Sequence, residues 1–226
     1  MAQFIGFPPQ TTEFLRDLSE NNSKAWFDEH RADYDSYWVE PAKEFVVAAG
    51  AALQEIAPVE AQPRVNGSIF RVNRDIRFSA DKRPYKDHLD FWFWEGARRR
   101  AVSGFYLRIT PDGVGVGAGA HGFDTERLAA FRTAAVDPSS GKSLQAAVAV
   151  IEQARFEVKG EHYKLLPRGF AAAGEFTARM LRHNALWVGD DEPIPKVLGS
   201  KRFVNWAMTR WTKMVPLHRW LVDTLQ

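Results

Sequence analysis

Between Ser68 and Ala120 the chain offers four successive strand-like segments with no helical spacing to separate them. They are Ser68–Phe78, His88–Glu95, Ala101–Thr110 and Gly113–Ala120. Parallel neighbours need a long crossover, usually a helix, so strands joined this closely predict a mainly antiparallel sheet. Pro111-Asp112-Gly113 suits the tight turn between the last two. Proline presets its own φ, aspartate hydrogen-bonds nearby backbone, and glycine tolerates the conformations that turns demand.

The flanks carry the period of a helix. Thr11 or Thr12 caps a first helix with Phe14, Leu15 and Leu18 on one face. Asn21-Asn22-Ser23 is a stop followed by a new cap, and Trp26, His30, Tyr34, Tyr37 and Trp38 recur at helical spacing after it. Pro41 suits the first turn of another helix, lined by Phe45, Ala49, Leu53 and Ile56. Beyond residue 120 the pattern is mostly helical again. Leu128 and Phe131 mark one helix, and Leu144, Ala147, Val148 and Ile151 mark another. A short strand is expected at Arg155–Lys159. Ser200 caps a last helix with Phe203, Val204, Ala207, Met208 and Trp211 inside, and Pro216 is expected to kink or end it. The expected architecture is one α+β domain over residues 1–226. Its mainly antiparallel sheet, at about residues 68–120, is packed by N-terminal and C-terminal helices.

With 226 residues, 45% of them apolar, the chain is long enough to bury a core without covalent staples. It has no cysteine, which excludes thiolate catalysis, disulfides and cysteine-held metals. The segment Met1–Pro9 lacks the basic start and the apolar run of a secretory leader. No apolar stretch is long enough to span a bilayer. A soluble, cytoplasmic protein with no membrane partner is expected.

The formal net charge is only +2, yet residues 64–86 hold seven basic and two acidic side chains. This local excess of +5 leaves the rest of the chain net acidic. The basic residues are Arg64, Arg71, Arg74, Arg77, Lys82, Arg83 and Lys86, and the acidic ones are Asp75 and Asp81. If Ser68–Phe78 is a regular strand, Phe70, Val72, Arg74, Ile76 and Phe78 share one face. That face is apolar apart from Arg74, so it should meet the core. A buried guanidinium must be paired or must hold an anion. Arg74 therefore pairs with a carboxylate such as Asp90, is turned outward by a bulge, or belongs to an anion site whose guanidinium forks suit phosphate or carboxylate. The loop Ser79–Lys86 would place Lys82, Tyr85 and Lys86 over such an anion. On the next strand His88 and Asp90 share a face and are spaced to form a dyad in which the carboxylate orients the imidazole.

Other patterns have plainer explanations. Gly117-Ala118-Gly119-Ala120-His121-Gly122 matches the dinucleotide fingerprint, but a helical pattern follows where the second parallel strand should lie. Alternate glycines at 115, 117 and 119 instead leave one strand face bare, so that a helix or a ligand can approach the backbone. Val136–Ser143 resembles a phosphate-binding loop without its first glycine, and Asp137, Ser139 and Ser140 read better as a helix cap. Asp190-Asp191-Glu192 reads as a solvated loop rather than a metal site. No nicotinamide, flavin or metal motif is accepted.

The run Arg71-Val72-Asn73-Arg74-Asp75-Ile76-Arg77-Phe78-Ser79-Ala80-Asp81-Lys82-Arg83-Pro84-Tyr85-Lys86 resembles the central signature of the domain of unknown function 2461 family. So do Gly6-Phe7, Phe14-Leu15, Asn21-Asn22, Lys24 with Trp26-Phe27, and Gly104–Leu107. Tyr163-Lys164, Pro167-Arg168-Gly169-Phe170, Val215-Pro216-Leu217 and Trp220-Leu221 extend the resemblance over nearly the whole chain. It implies a single domain and brings no assigned activity.

The leading expectation is a phosphate-bearing or other anionic small ligand, held by Arg71, Arg74, Arg77, Lys82 and Lys86, with Asp75 and Asp81 fixing the arginines. Tyr85 and His88 are the best candidates for proton transfer. One alternative is a nucleic-acid binding module that uses the same basic and aromatic patch. Another is a non-enzymatic scaffold or protein-interaction domain in which the run is a structural salt-bridge network. No nucleophile stands at a defined spacing from a base, so the residues name no reaction.

Overall fold

Several helices start where the chain supplies a partner for their free backbone N–H groups, or a residue that lacks one. In the computed structural model, which describes residues 3–170 and 174–225, α1 (Pro9–Glu20) opens on proline and buries Thr11, Phe14, Leu15 and Leu18. Met1 and Ala2 of the N-terminal segment lie outside the described residues. Ser23 caps α2 (Lys24–Glu29) by accepting from the Trp26 N–H. A short α3 (Arg31–Asp33) leads into a π-helical stretch, Tyr34–Val39, and then into α4 (Glu40–Leu53), with Pro41 in its first turn. Asp124 and Asp137 cap α5 (Thr125–Val136) and α6 (Pro138–Gln153), and α7 (Glu175–Leu181) and α8 (Arg202–Leu225) follow.

The strands are β1 (Val59–Glu60), β2 (Leu89–Glu95), β3 (Gly104–Ile109), β4 (Gly113–Ala120), β5 (Glu157–Glu161) and β6 (His183–Pro193). They form one six-stranded antiparallel sheet in the order β1-β2-β3-β4-β6-β5. The α+β class with helices at both ends of the chain is as expected. The turn at Pro111–Gly113 is also as expected, and is closed by the Thr110 N–H donating to the Gly113 carbonyl at 2.9 Å.

Two local expectations need correction. Ser68–Phe78 is not a regular strand: it pairs with the following segment only through isolated bridges at Ile69 and Asn73. The reason is a register slip. Phe70 N–H donates to the Asp90 carbonyl, but Arg74 N–H donates to Pro84 and Lys86 N–H to Val72. Two more residues lie on the second side than on the first, so the ladder breaks around Asp87 and His88. Of the face expected to meet the core only Val72 is buried, and Phe78 is 95% exposed. Asp190-Asp191-Glu192, expected as a solvated loop, lies in the longest of the six strands, His183–Pro193. That strand is the hydrogen-bonded neighbour of β4, and a Cβ on Gly119, whose φ is +128°, would collide with the backbone of Leu186 and Trp187. Helix α8 runs through Pro216, which leaves a kink as the outcome expected of that proline.

Contacts divide the chain into two compact units. The first holds Met1–Phe93, Tyr106–Val116 and Asp191–Thr209. Its core centres on Phe45, whose ring lies 5.5 Å from Phe7, 4.8 Å from Phe91 and 5.5 Å from Phe203. The second holds Trp94–Phe105, Gly117–Asp190 and Arg210–Gln226. Here Phe105 packs on Trp211 and on the ring of His218, and Phe131 meets Trp220 edge to face. Within this core, Ser103 Oγ lies 2.8 Å from His218 Nδ1, and Glu95 Oε1 lies 2.8 Å from His218 Nε2. The Arg219 guanidinium closes on the same Glu95 carboxylate. Burial pushes His218 down to about 4, although Asp223 pulls the other way.

Candidate functional site

The basic run forms an irregular hairpin in the first unit, and the hairpin sorts its charges into three places. At the tip, Arg77 forks onto Asp75, with Nε at 2.9 Å and Nη2 at 2.6 Å. Arg83 does the same to Asp81. Arg74 Nη1 lies 2.8 Å from Asp81 and donates to the Arg83 carbonyl at 3.0 Å. Lys82 donates to the Ile76 carbonyl. These bonds hold the Asp75 and Asp81 carboxyls well below the usual carboxylate range, through Arg77 for the first and Arg83 for the second. Arg74 is therefore paired with a carboxylate, but with Asp81 rather than Asp90.

The second place is Asp90, whose side chain is 12% exposed. Arg108 Nε reaches it at 2.6 Å, His88 Nε2 at 3.3 Å and Lys86 Nζ at 3.5 Å. Burial opposes its ionisation, yet the bonds from His88 and Arg108 win and hold it at about 2. The expected His88–Asp90 pairing is present. The other ring nitrogen, Nδ1, lies 3.1 Å from Asp87, so both nitrogens of His88 face carboxylates. An imidazole held on both sides has no free nitrogen for proton transfer to a ligand.

The third place is a cleft of about 630 Å³, lined on one side by the hairpin and on the other by the helical segment from Phe27 to Lys43. Its floor is aromatic. Tyr85 stacks on Phe27 at 4.2 Å, Tyr34 stacks on Trp38 at 4.9 Å, and Arg31 lies over both Phe27 and Tyr34. The wall includes the π-helical stretch at Tyr34–Val39, a backbone form found often at functional sites. Across from it Asn66 adopts a left-handed backbone with φ 63°. Asn22 anchors this side of the hairpin: its amide accepts from the Tyr85 N–H at 3.0 Å and donates to the Tyr85 carbonyl at 3.1 Å.

The charges here are arranged unlike those of the tip. Arg31 pairs with Asp35 and Lys43 with Glu40. Arg71 makes no ion pair and no side-chain hydrogen bond with any described residue, and neither does Asp28. Burial raises Tyr34 to about 12 and raises Tyr85 as well. Both phenols are protonated donors at neutral pH. Asp35 and Arg31 act on Tyr34, and Asp28 and Arg31 on Tyr85, so the phenol ends lie among the charged groups of the cleft.

Of the residues singled out in the sequence, the cleft brings together Arg71 and Tyr85. Arg74, Asp75, Arg77, Asp81 and Lys82 lie in the tip network, and Lys86 and His88 in the Asp90 cluster. Sequence reasoning missed Asp28, Arg31, Tyr34, Asp35 and Lys43 on the helical wall. The available signal was polar residues at one-turn spacing beside the aromatic stripe at 26–38. Among the described residues there is no cluster of metal-ligating side chains, and no helix is long and apolar enough to cross a membrane.

No curated protein and no solved structure matches the chain. A family model described as a conserved hypothetical protein, DUF2461, matches residues 10–220, and the chain belongs to that family.

Proposed function

Starting from membership in a family whose description carries no activity, we propose that the cleft of the first unit binds an anionic small molecule, with Arg71 as its main anchor. One observation carries this reading. Every arginine of the tip has a carboxylate partner, whereas Arg71 lines a cavity and has no ion-pair partner among the described residues. An unpaired guanidinium offers a planar fork of donors that suits a phosphate or carboxylate. The protonated phenols of Tyr34 and Tyr85 add neutral donors nearby. The tip residues then stiffen the hairpin that presents Arg71.

The salt-bridge scaffold is the second reading, and the self-paired tip favours it. The two readings part on one experiment, thermal unfolding at low salt with phosphate, nucleotides, sugar phosphates, dicarboxylates and short single strands. A ligand at 100 times its Kd adds about 2.7 kcal/mol, a rise in Tm of roughly 5–10 °C for a chain of this length. Arg71→Ala is expected to abolish that rise while Arg77→Ala keeps it. If no ligand shifts the wild type, the scaffold reading stands. A response only to single strands, growing with their length and falling steeply with salt, identifies nucleic acid instead.

A further inference from the structure

Resting on the anion reading of the cleft, we propose that its ligand is a phosphorylated sugar or polyol, with the phosphate on Arg71 and the hydroxyl groups on Asp28, Asn73, Tyr34 and Tyr85. Three features of the lining narrow the class this far.

The first is the charge count. Arg71 is the one cation lining the cleft without an ion pair among the described residues, and the carboxylates of Asp28 and Asp35 also line it. A ligand with several phosphates would set its extra charge against these two aspartates. One anionic group is matched; a polyphosphate is not.

The second is the aromatic floor. A nucleobase binds by laying its face on an open ring. Phe27 carries Tyr85 and Arg31, and Tyr34 carries Trp38 and Arg31. Phe27, Tyr34 and Tyr85 are 4%, 5% and 7% exposed. Rings this deeply buried offer no open face wide enough for a base.

The third is the supply of hydrogen-bonding groups without protein partners. Asp28 is an acceptor with no ion pair or side-chain hydrogen bond to a described residue. The Asn73 amide has no side-chain bond either, and it can both donate and accept. The phenols of Tyr34 and Tyr85 make no hydrogen bond to described residues and are not sealed from solvent. Such a mixture suits adjacent hydroxyl groups, which donate and accept at once. A bare phosphate would leave Asp28 unmatched and repelled.

Titration calorimetry on the full chain tests this with glucose 6-phosphate, ribose 5-phosphate, AMP, inorganic phosphate and succinate. At least one sugar phosphate is expected to bind tenfold or more tighter than inorganic phosphate, and AMP no tighter than inorganic phosphate. Asp28→Asn is expected to remove the advantage of the sugar phosphate without weakening inorganic phosphate. Arg71→Ala is expected to weaken every anion, with an unfolding temperature equal to the wild type showing that it folds. If AMP or succinate binds as tightly as the best sugar phosphate, and still through Arg71, the sugar class is wrong and the anion reading stands. If nothing binds in an Arg71-dependent way, both fall.

Discussion

The tip of the charged hairpin and the network around Glu95 use the same kinds of side chain in opposite settings. At the tip, Asp75, Arg77, Asp81 and Arg83 are open to water, with Arg77 75% exposed. Around Glu95, His218 is wholly buried and the carboxylate is 9% exposed. Exposed ion pairs gain little, because water already solvates both charges and the side chains lose freedom on pairing. Buried groups have no such alternative, so removing one partner strands the other. The dense run that dominates the sequence should therefore matter little to stability. Two residues 123 positions apart, Glu95 and His218, should matter a great deal. Charge density along a chain marks where to look for a ligand; burial decides where a charge holds the fold.

The largest test of that contrast is Glu95→Ala. It leaves the Arg219 guanidinium and the His218 ring without their shared acceptor, and is expected to cost about 3–5 kcal/mol in urea unfolding. A loss no larger than that of a tip variant would erase the distinction.

Acid titration gives the next largest effect and separates the two units by pH. His218 binds its proton less readily in the folded chain, at about 4 against an unfolded value of ~6.5. Below ~6.5 the unfolded state takes up a proton that the folded state refuses. Stability is therefore intact above that pH and falls as pH drops towards 4, by roughly 3 kcal/mol at most. His218→Gln should flatten this window. Asp90 titrates lower. Its folded value of about 2 lies below the unfolded ~3.9, so its contribution is present above pH 4 and is lost as pH falls through 2. That loss is on the order of 2 kcal/mol and should vanish in Asp90→Asn. Acid unfolding curves of the two variants that changed in the same window would overturn this assignment.

The same contrast explains what could be read from residues alone. Pro41 at a helix start, the Asp137 cap and the strand at Gly113–Ala120 are set by neighbours in sequence, and each was legible. Strand β6 was not. Its polar end, Gly189-Asp190-Asp191-Glu192-Pro193, looks like a loop, and pairing makes it a strand, with Glu157 opposite Gly189 and β4 on the other side. Helix α8 crosses Pro216 because Met214, Leu217 and Leu221 are fully buried around it, which outweighs the ~3 kcal/mol that proline costs inside a helix. In the candidate site, Arg71 and Tyr85 lay in a conspicuous run, whereas the helical wall of the cleft came from a segment that reads as ordinary amphipathic helix. The alternation argument at Arg74 assumed one register along the strand. Ser68–Phe78 instead pairs only through isolated bridges, and Phe78 at its end is 95% exposed.

The smallest effect is the sharpest check on the tip. Asp75 meets Arg77 through a bidentate pair and also accepts from the Arg77 backbone N–H at 3.2 Å. Judged by geometry alone it is the best-formed ion pair in the run. Both partners are solvated, and the turn has further bonds of its own, from Ser79 N–H to the Ile76 carbonyl and from Lys82 to the same oxygen. Asp75→Ala is therefore expected to leave the urea midpoint unchanged within error and to leave anion binding at Arg71 intact. A clear loss of stability would mean that the tip acts as one cooperative network, and would favour the scaffold reading. A loss of binding with stability unchanged would mean instead that Asp75, whose charge lies within reach of Arg71, sets the position of that guanidinium in the cleft.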